Sequence, residues 1–434
     1  MMHDQNGDEV STDSAEVVES LDRFATDFLA ARNEAGRIVD LARQHPECAL
    51  AQAYAAAMSL YSQSSVEITR SALPLLEGAA ALRSGITARE SLLIDALLAW
   101  ARNDLQTAIA LHERIAGDWP RDLVAAKIAE CLFYEAPDYR RHLRFMERIA
   151  DANADRPAFL AMHAFALGMC GDDERAEATA QRAIELDLYT PWAHHALAHI
   201  FLTQRRTSEG VARLRELAPT WERNTQATRS HNSWHLALLH LANDDVTSAL
   251  ALYRERIAGF EPDSVFEHVD AISLLWRAEL AGHQRDDAWR ELAPHLVERA
   301  REQFFPFLNA HYAYALTRAG YVDVVEDALA KLRAYAFRQT GTAARVFRDV
   351  GVPLVTACAA FAAGEAARCA VLLEPILPEL ACVGGSDAQN DLFRQTYVVA
   401  LLDCGRQNEA RRRLNARLGG NPPTPAEQVW LARA

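Results

Sequence analysis

QTAIALHERIAGDWP (residues 106–120) and SALALYRERIAGFEP (248–262) are two versions of one phrase, and their repetition decides the fold. Each opens on a small residue, Ala108 or Ala249, runs through apolar positions at helical spacing and ends on a proline, Pro120 or Pro262. RAEATAQRAIELDLYTP (175–191) gives a third version, with Ala176, Ala180 and a proline three residues later in the phrase. Between them, apolar residues recur at i, i+3, i+4 and i+7, and no useful stretch alternates at period two. The chain therefore reads as all helix.

Turn signals punctuate the chain at a steady interval. They are GDDERA from 171, QRRTSEG from 204, ANDDVTSA from 242, AGHQRDDA from 281, AGYVDVV from 319, AAGEAA from 362 and CGRQNEA from 404. Spacing of about 34 to 44 residues is the period of tetratricopeptide-like helix-turn-helix solenoids, in which each pair buries its apolar face only against its neighbours. The expected fold is an all-α superhelix of such pairs. Helix starts agree with it: Ser64/Glu67, Thr87/Glu90, Ser264/Glu267, Ser386/Gln389 and Thr424/Glu427 all have capping-box spacing, the last with Pro425 at the first helical position. A longer helix is expected around 64–83. The domain reading is an acidic disordered tail (1–13), atypical N-terminal repeats (14–150), regular repeats (151–418), then a linker, GGNPPTP, and a short C-terminal helix (419–434).

Composition removes several function classes. The formal charge of −14 offers no basic face for a polyanion, so nucleic acid is not an expected partner. No apolar run approaches the roughly 20 residues that span a bilayer, and the polar, acidic N-terminus lacks a secretory pattern, so a cytoplasmic location is expected. Seven cysteines without a CxxC pair predict reduced, buried thiols rather than a disulfide framework or a thiolate zinc site. Two lysines stand among the 45 lysines and arginines, a skew expected from a GC-rich bacterial genome. With no strands, the strand-dependent phosphate loops and nucleophile elbows are absent.

Histidine is concentrated in three successive helical segments, PWAHHALAHIF (191–201), SHNSWHLALLH (230–240) and FEHVDAISLLWR (266–277). Counting back from the small residue of each repeat assigns a face, because each residue turns the helix by about 100°. Anchored on Ala249, Ala288 and Val325, the count places His231 and His235, Asp270 and Arg277, and His311 and Tyr314 on the stripe opposite the packing seam, facing a concave groove. The same count puts His163, His195 and His199 on the packing side. His194 and His240 read as satisfied packing histidines, and Trp234 and Trp276 as packing rather than stacking platforms.

His231 and His235 are four apart, a spacing at which two imidazoles can share a metal, and Asp270 on the next first helix would complete a two-histidine, one-carboxylate site. No cofactor is required by the sequence; a divalent metal at these three residues is the one candidate. Arg277 is the natural clamp for a carboxylate or phosphate. GGSDAQND (384–391) reads first as a loop and capping box, and secondarily as an anion or polar-ligand site at a helix start, which brings in Ser386, Gln389 and Asp391.

HNSWHLALLH, VDAISLLWRAELAG and GGSDAQND together resemble segments of the tetratricopeptide repeat protein 38 family and its bacterial relatives, over about Arg89 to Asp403. The resemblance implies a helical-repeat solenoid of unassigned biochemical role. The matching positions are His231, His235, Asp270, Arg277, Gly384, Gly385, Ser386, Gln389 and Asp391; Asp387 departs from the histidine the family carries there. The functional expectation is a binding protein whose groove holds a protein or peptide segment or a small polar or anionic ligand. The alternative is an enzyme in that groove, with His231, His235 and His311 as catalytic or metal-binding groups.

Overall fold

The computed structural model describes residues 1–434, and it is helical almost throughout. The helices come in antiparallel pairs, such as Ala88–Ala101 with Leu105–Asp118, Val265–Leu280 with Asp286–Leu296, and Asp387–Asp403 with Gln407–Leu418. This is the tetratricopeptide-like repeat architecture that the sequence period requires. Ala108, Ala176, Ala180 and Ala249 are fully buried, because these positions let the second helix of a pair close onto the first.

All seven expected turns contain one residue in the left-handed region: Gly171, Arg205, Asp244, Gly282, Gly320, Gly364 and Gly405. Such a residue ends a helix by turning the backbone so that its amide and the next can bond back to the last carbonyls. Five of the seven are glycine, for which that conformation is free of Cβ strain. The Ser386 and Thr424 capping boxes form as read, as does that of Thr87. At Ser264 the outcome differs: Glu267 instead accepts the backbone N–H groups of Gly259, Phe260 and Glu261, fixing the loop before the helix. The expected long helix near 64–83 runs from Ser65 to Ala81, with one wide turn at Ile68–Ala72.

The chain divides into two compact units, Met1–Ile200 with Pro219–Thr228, and Phe201–Ala218 with Arg229–Ala434. Neither limit coincides with the boundaries expected at 150 and 418. In the first unit the acidic N-terminus is not a disordered tail. It forms a short hairpin of Met2–His3 and Glu9–Val10, the one departure from an all-helical chain. Val10 is fully buried, Ser11 bonds Glu90 through both its amide and its hydroxyl, and buried Arg89 pairs with Asp4 and Asp122. The acidity read as a solvation signal is counter-charge for a buried guanidinium.

In the second unit the first helices of successive pairs are buried nearly all round, whereas the second helices keep a solvent face. Val265–Leu280 buries its apolar stripe and also Glu267, His268, Asp270 and Arg277. Asp286–Leu296, its partner, buries only one side. The C-terminal segment is part of this unit's packing: Trp430, on helix Pro425–Arg433, donates its indole N–H to the Leu280 carbonyl at 3.2 Å. No helix is long and apolar enough to cross a membrane.

Candidate functional site

The candidate residues lie in the second unit, on helix Gln226–Ala242 from Arg229 onward, helix Val265–Leu280 and the start of helix Asp387–Asp403. They contain the three stretches on which the family resemblance rests, and the fold brings those stretches together. His231 Nδ1 lies 3.0 Å from Asp270 Oδ1, and Ser230 Oγ is 3.4 Å from Asp270 Oδ2. The His231 side chain is 23 % exposed while Asp270 is buried. A buried carboxylate thus fixes the ring of an imidazole that is partly exposed, through a hydrogen bond at Nδ1.

Trp234 joins this pair to Arg277. The His231 ring stacks on the indole at 5.3 Å, the Arg277 guanidinium carbon lies 5.6 Å from its centroid, and the indole N–H donates to Ser273 Oγ at 2.7 Å. Trp234 is fully buried, so it packs as expected, yet it is also the surface against which both candidate polar groups rest. Arg277, 6 % exposed, donates to the carbonyl of Ala388 at 2.6 Å and to that of Ser273 at 3.4 Å. Burial pushes its guanidinium down to about 10, against the opposing pull of Asp391.

His235 is fully buried, edge-on to both His231 (4.9 Å) and Trp234 (4.7 Å). His231 and His235 each offer a ring nitrogen within 4.8 Å of the other, so the helical i, i+4 spacing does bring two imidazoles to one point. Asp270 stands behind His231 as an orienting carboxylate, the kind of contact that turns a histidine ring toward a metal it ligates.

His311 and Tyr314 fall elsewhere in the unit. His311 is fully buried, donates Nδ1–H to the Phe307 carbonyl at 2.8 Å and sits among the rings of Phe307, Trp276 and Phe393. Burial pulls it down to about 4, so it is neutral at pH 7. None of its hydrogen bonds or ring contacts involves His231. Tyr314 stacks on Trp276 at 3.6 Å and donates to Glu279 at 2.6 Å; Glu279 also holds Trp289 and Arg318. Phe393, from helix Asp387–Asp403, covers Trp276 and His311. Along this part of the stripe, the expected open groove is a packed seam.

Ser386 and Gln389 are occupied with each other in the capping box. Asn390 donates to the carbonyls of Gly384 and Gly385, fastening the double-glycine loop, and Gly385 lies so close to Phe307 that a Cβ would come within 2.8 Å of the ring. Asp391 is held by both terminal nitrogens of Arg417 and by Gln395. Burial works against its charge, but Arg417 outweighs it and keeps the carboxyl at about 2. Arg417 continues to Glu427 at 2.9 Å, and Glu427 to Arg205 at 2.5 Å.

Four of the histidines assigned to packing have partners of that kind, while His163 meets the Phe159 ring at 5.5 Å. His194 Nδ1 accepts from the Trp221 indole, His195 and His199 meet at 3.2 Å, and His240 bonds Asp245, which caps the next helix through Ser248. Sequence reading missed Ser230, Ser273 and Glu279, which hold Asp270, Trp234 and Tyr314, and the Arg417–Glu427–Arg205 chain. Ser273 is the i+3 neighbour of Asp270 and the i−4 neighbour of Arg277, while Ser230 and Glu279 are i−4 and i+3 neighbours of Trp234 and Trp276, so helical spacing could have found all three; Arg417, in RRRLNARL, carries no local signal.

No protein-family model matches the chain. Among solved structures it is similar to the human IFIT1 dimer with m7Gppp-AAAA (15 % identity, 98 % of this chain and 95 % of that one, TM-score 0.45) and to a monomeric mutant of IFIT1 with Gppp-AAAA (14 % identity, 96 % and 99 %, TM-score 0.45). It is also similar to the tetratricopeptide repeat domain of P58(IPK), at 11 % identity over 80 % of this chain and 97 % of that one, with a TM-score of 0.23. At these scores no property of those proteins transfers to this one.

Proposed function

We propose that this chain is a helical-repeat binding protein, a relative of the tetratricopeptide repeat protein 38 family, that holds a small polar ligand at the His231–Asp270 pair and its Trp234 floor. The observation that carries this reading is the asymmetry of the pair: a carboxylate is buried in order to orient an imidazole that remains 23 % exposed. Burying a carboxylate is costly unless it is paired and hydrogen-bonded, and here the bonds go to His231 and Ser230 rather than to a distant structural partner. A ligand that reaches the exposed part of the His231 ring would meet an imidazole already oriented by Asp270. Because Phe393 packs over the stripe near Trp276, a small ligand suits the site better than an extended peptide.

The test is equilibrium dialysis of the full chain against a metabolite extract, followed by mass spectrometry of what is retained. Wild type should enrich at least one small polar compound, and His231→Ala and Asp270→Asn should each lose it. No enrichment, or enrichment unchanged in both variants, would count against the reading.

A second reading, an enzyme with a divalent metal between His231 and His235, is favoured by the Asp270–His231 contact, since metal-ligating histidines commonly bond a carboxylate through their other nitrogen. Elemental analysis of the purified chain decides it. About one equivalent of metal, lost in His235→Ala, would support the enzyme; metal-free protein that still binds its ligand would exclude it.

A further inference from the structure

Arg277 differs from every other arginine around it. Its four companions in the network, two guanidiniums and two carboxylates, pair among themselves: Arg417 with Asp391 and Glu427, and Arg205 with Glu427. Three guanidiniums, of Arg277, Arg417 and Arg205, therefore face two carboxylates, Asp391 and Glu427. The unmatched positive charge resides on Arg277, which has no ion-pair partner and only two backbone carbonyls as acceptors. A guanidinium has five N–H donors, so three of its donors meet no protein acceptor. A buried cation in this condition costs stability unless something completes it.

We infer that Arg277 anchors a small oxyanion, a carboxylate or phosphate group, whose remaining atoms lie along Trp234 toward His231. The inference rests on the binding reading above and specifies the ligand's chemistry. The planar fork of the guanidinium matches the two oxygens of a carboxylate or phosphate, and its contact with the Trp234 ring holds that fork in one plane. The carbonyl of Ala388 takes one terminal nitrogen and that of Ser273 the other, which leaves the Nε side of the fork among the uncommitted donors. Asp391, the carboxylate that acts on Arg277 most strongly, is tied to Arg417 and so cannot close onto Arg277 in the ligand's place.

Thermal unfolding of the full chain is followed in sodium phosphate, sodium succinate and, as the ionic-strength control, sodium chloride. Phosphate or succinate should raise Tm by several degrees with a saturating concentration dependence, chloride should not, and the more effective of the two identifies the group. Arg277→Met should lose that response while showing a Tm without anion equal to or above that of wild type, since it removes an unmatched buried charge. Arg277→Lys, which keeps the charge but not the fork, should weaken the saturable response at least tenfold and covers the case in which the methionine variant fails to fold. The inference is overturned if neither anion acts on wild type, if both variants respond as wild type does, or if Arg277→Met folds with a Tm well below wild type. Retention of a His231-dependent ligand in dialysis, with no response to phosphate or succinate, would overturn the anion assignment and leave the binding reading intact.

Discussion

Glu135 offers the sharpest test of the physical reasoning in the first unit. It is the last residue of helix Leu123–Glu135 and is buried, with Oε2 accepting from the Trp100 indole at 2.8 Å, and Oε1 from Gln63 at 3.2 Å and the Cys131 thiol at 3.9 Å. No cation pairs with it, so burial raises its carboxyl to about 8, the three hydrogen bonds only partly offsetting desolvation. In the unfolded chain the same carboxyl titrates at its ordinary value near 4.5. Between those pH values the folded state holds a proton that the unfolded state has lost, so stability is fully present below about pH 4.5 and declines as pH rises toward 8. An interval of that width corresponds to roughly 5 kcal/mol at most, because each pH unit is worth about 1.36 kcal/mol. Glu135→Gln removes the charge and keeps the shape, at a cost of about 1 kcal/mol for an amide N–H that must find an acceptor. The assay is urea unfolding, read by tryptophan fluorescence and by hydrogen exchange in helix Leu123–Glu135, for both proteins from pH 5 to pH 9. Other titrating groups are common to the two and cancel in the difference. Wild type should be the more stable near pH 5 and the variant by a few kcal/mol near pH 8 to 9, with the curves crossing between. A difference that stays constant within about 0.5 kcal/mol across the range would refute the argument, because it would mean that Glu135 is charged at no special cost.

Three further outcomes follow from local geometry. Gly385→Ala and Gly405→Ala both place a side chain at positive φ, but only the former drives a Cβ into a ring, that of Phe307, while the latter meets open space; chemical denaturation should show losses of roughly 2–4 and about 1 kcal/mol respectively. Glu279→Ala should cost at least about 3 kcal/mol, because it strips the buried Tyr314 hydroxyl and the Trp289 indole of their acceptor and Arg318 of its buried carboxylate, whereas Tyr314→Phe, which removes one donor and leaves Glu279 its other two, should cost about 1–2 kcal/mol. Glu427→Gln should loosen the C-terminal helix by weakening its bonds to Arg205 and Arg417, and limited proteolysis should then cut within Gly419–Thr424 several-fold faster than in wild type, with no change in cleavage elsewhere.

What the sequence made legible, and what it hid, follows the range of the interactions involved. The turns at Gly171 through Gly405 and the capping boxes at Thr87, Ser386 and Thr424 are set by residues within a few positions of each other, and each was readable from those residues alone. The meeting of His231 with Asp270 was also accessible, since it needs only the repeat period and the contact of one first helix with the next. The solvent exposure of the same stripe was not. Whether Arg277 and His311 face water depends on helix Asp387–Asp403, more than a hundred residues beyond Arg277, whose Ala388 and Phe393 meet them. A local period states which residues share a face but holds no information on what a distant helix lays across it. The acidic N-terminus shows the same limit in a second form: its composition reads as solvated chain until Arg89, some eighty residues away, is seen to pair with Asp4 and Asp8. Charge counted along the sequence is therefore a poor guide to where charge is unmatched in space. A chain with fourteen excess negative charges nonetheless buries a guanidinium without an ion-pair partner, and it is this local imbalance, rather than the net charge, that points to the ligand.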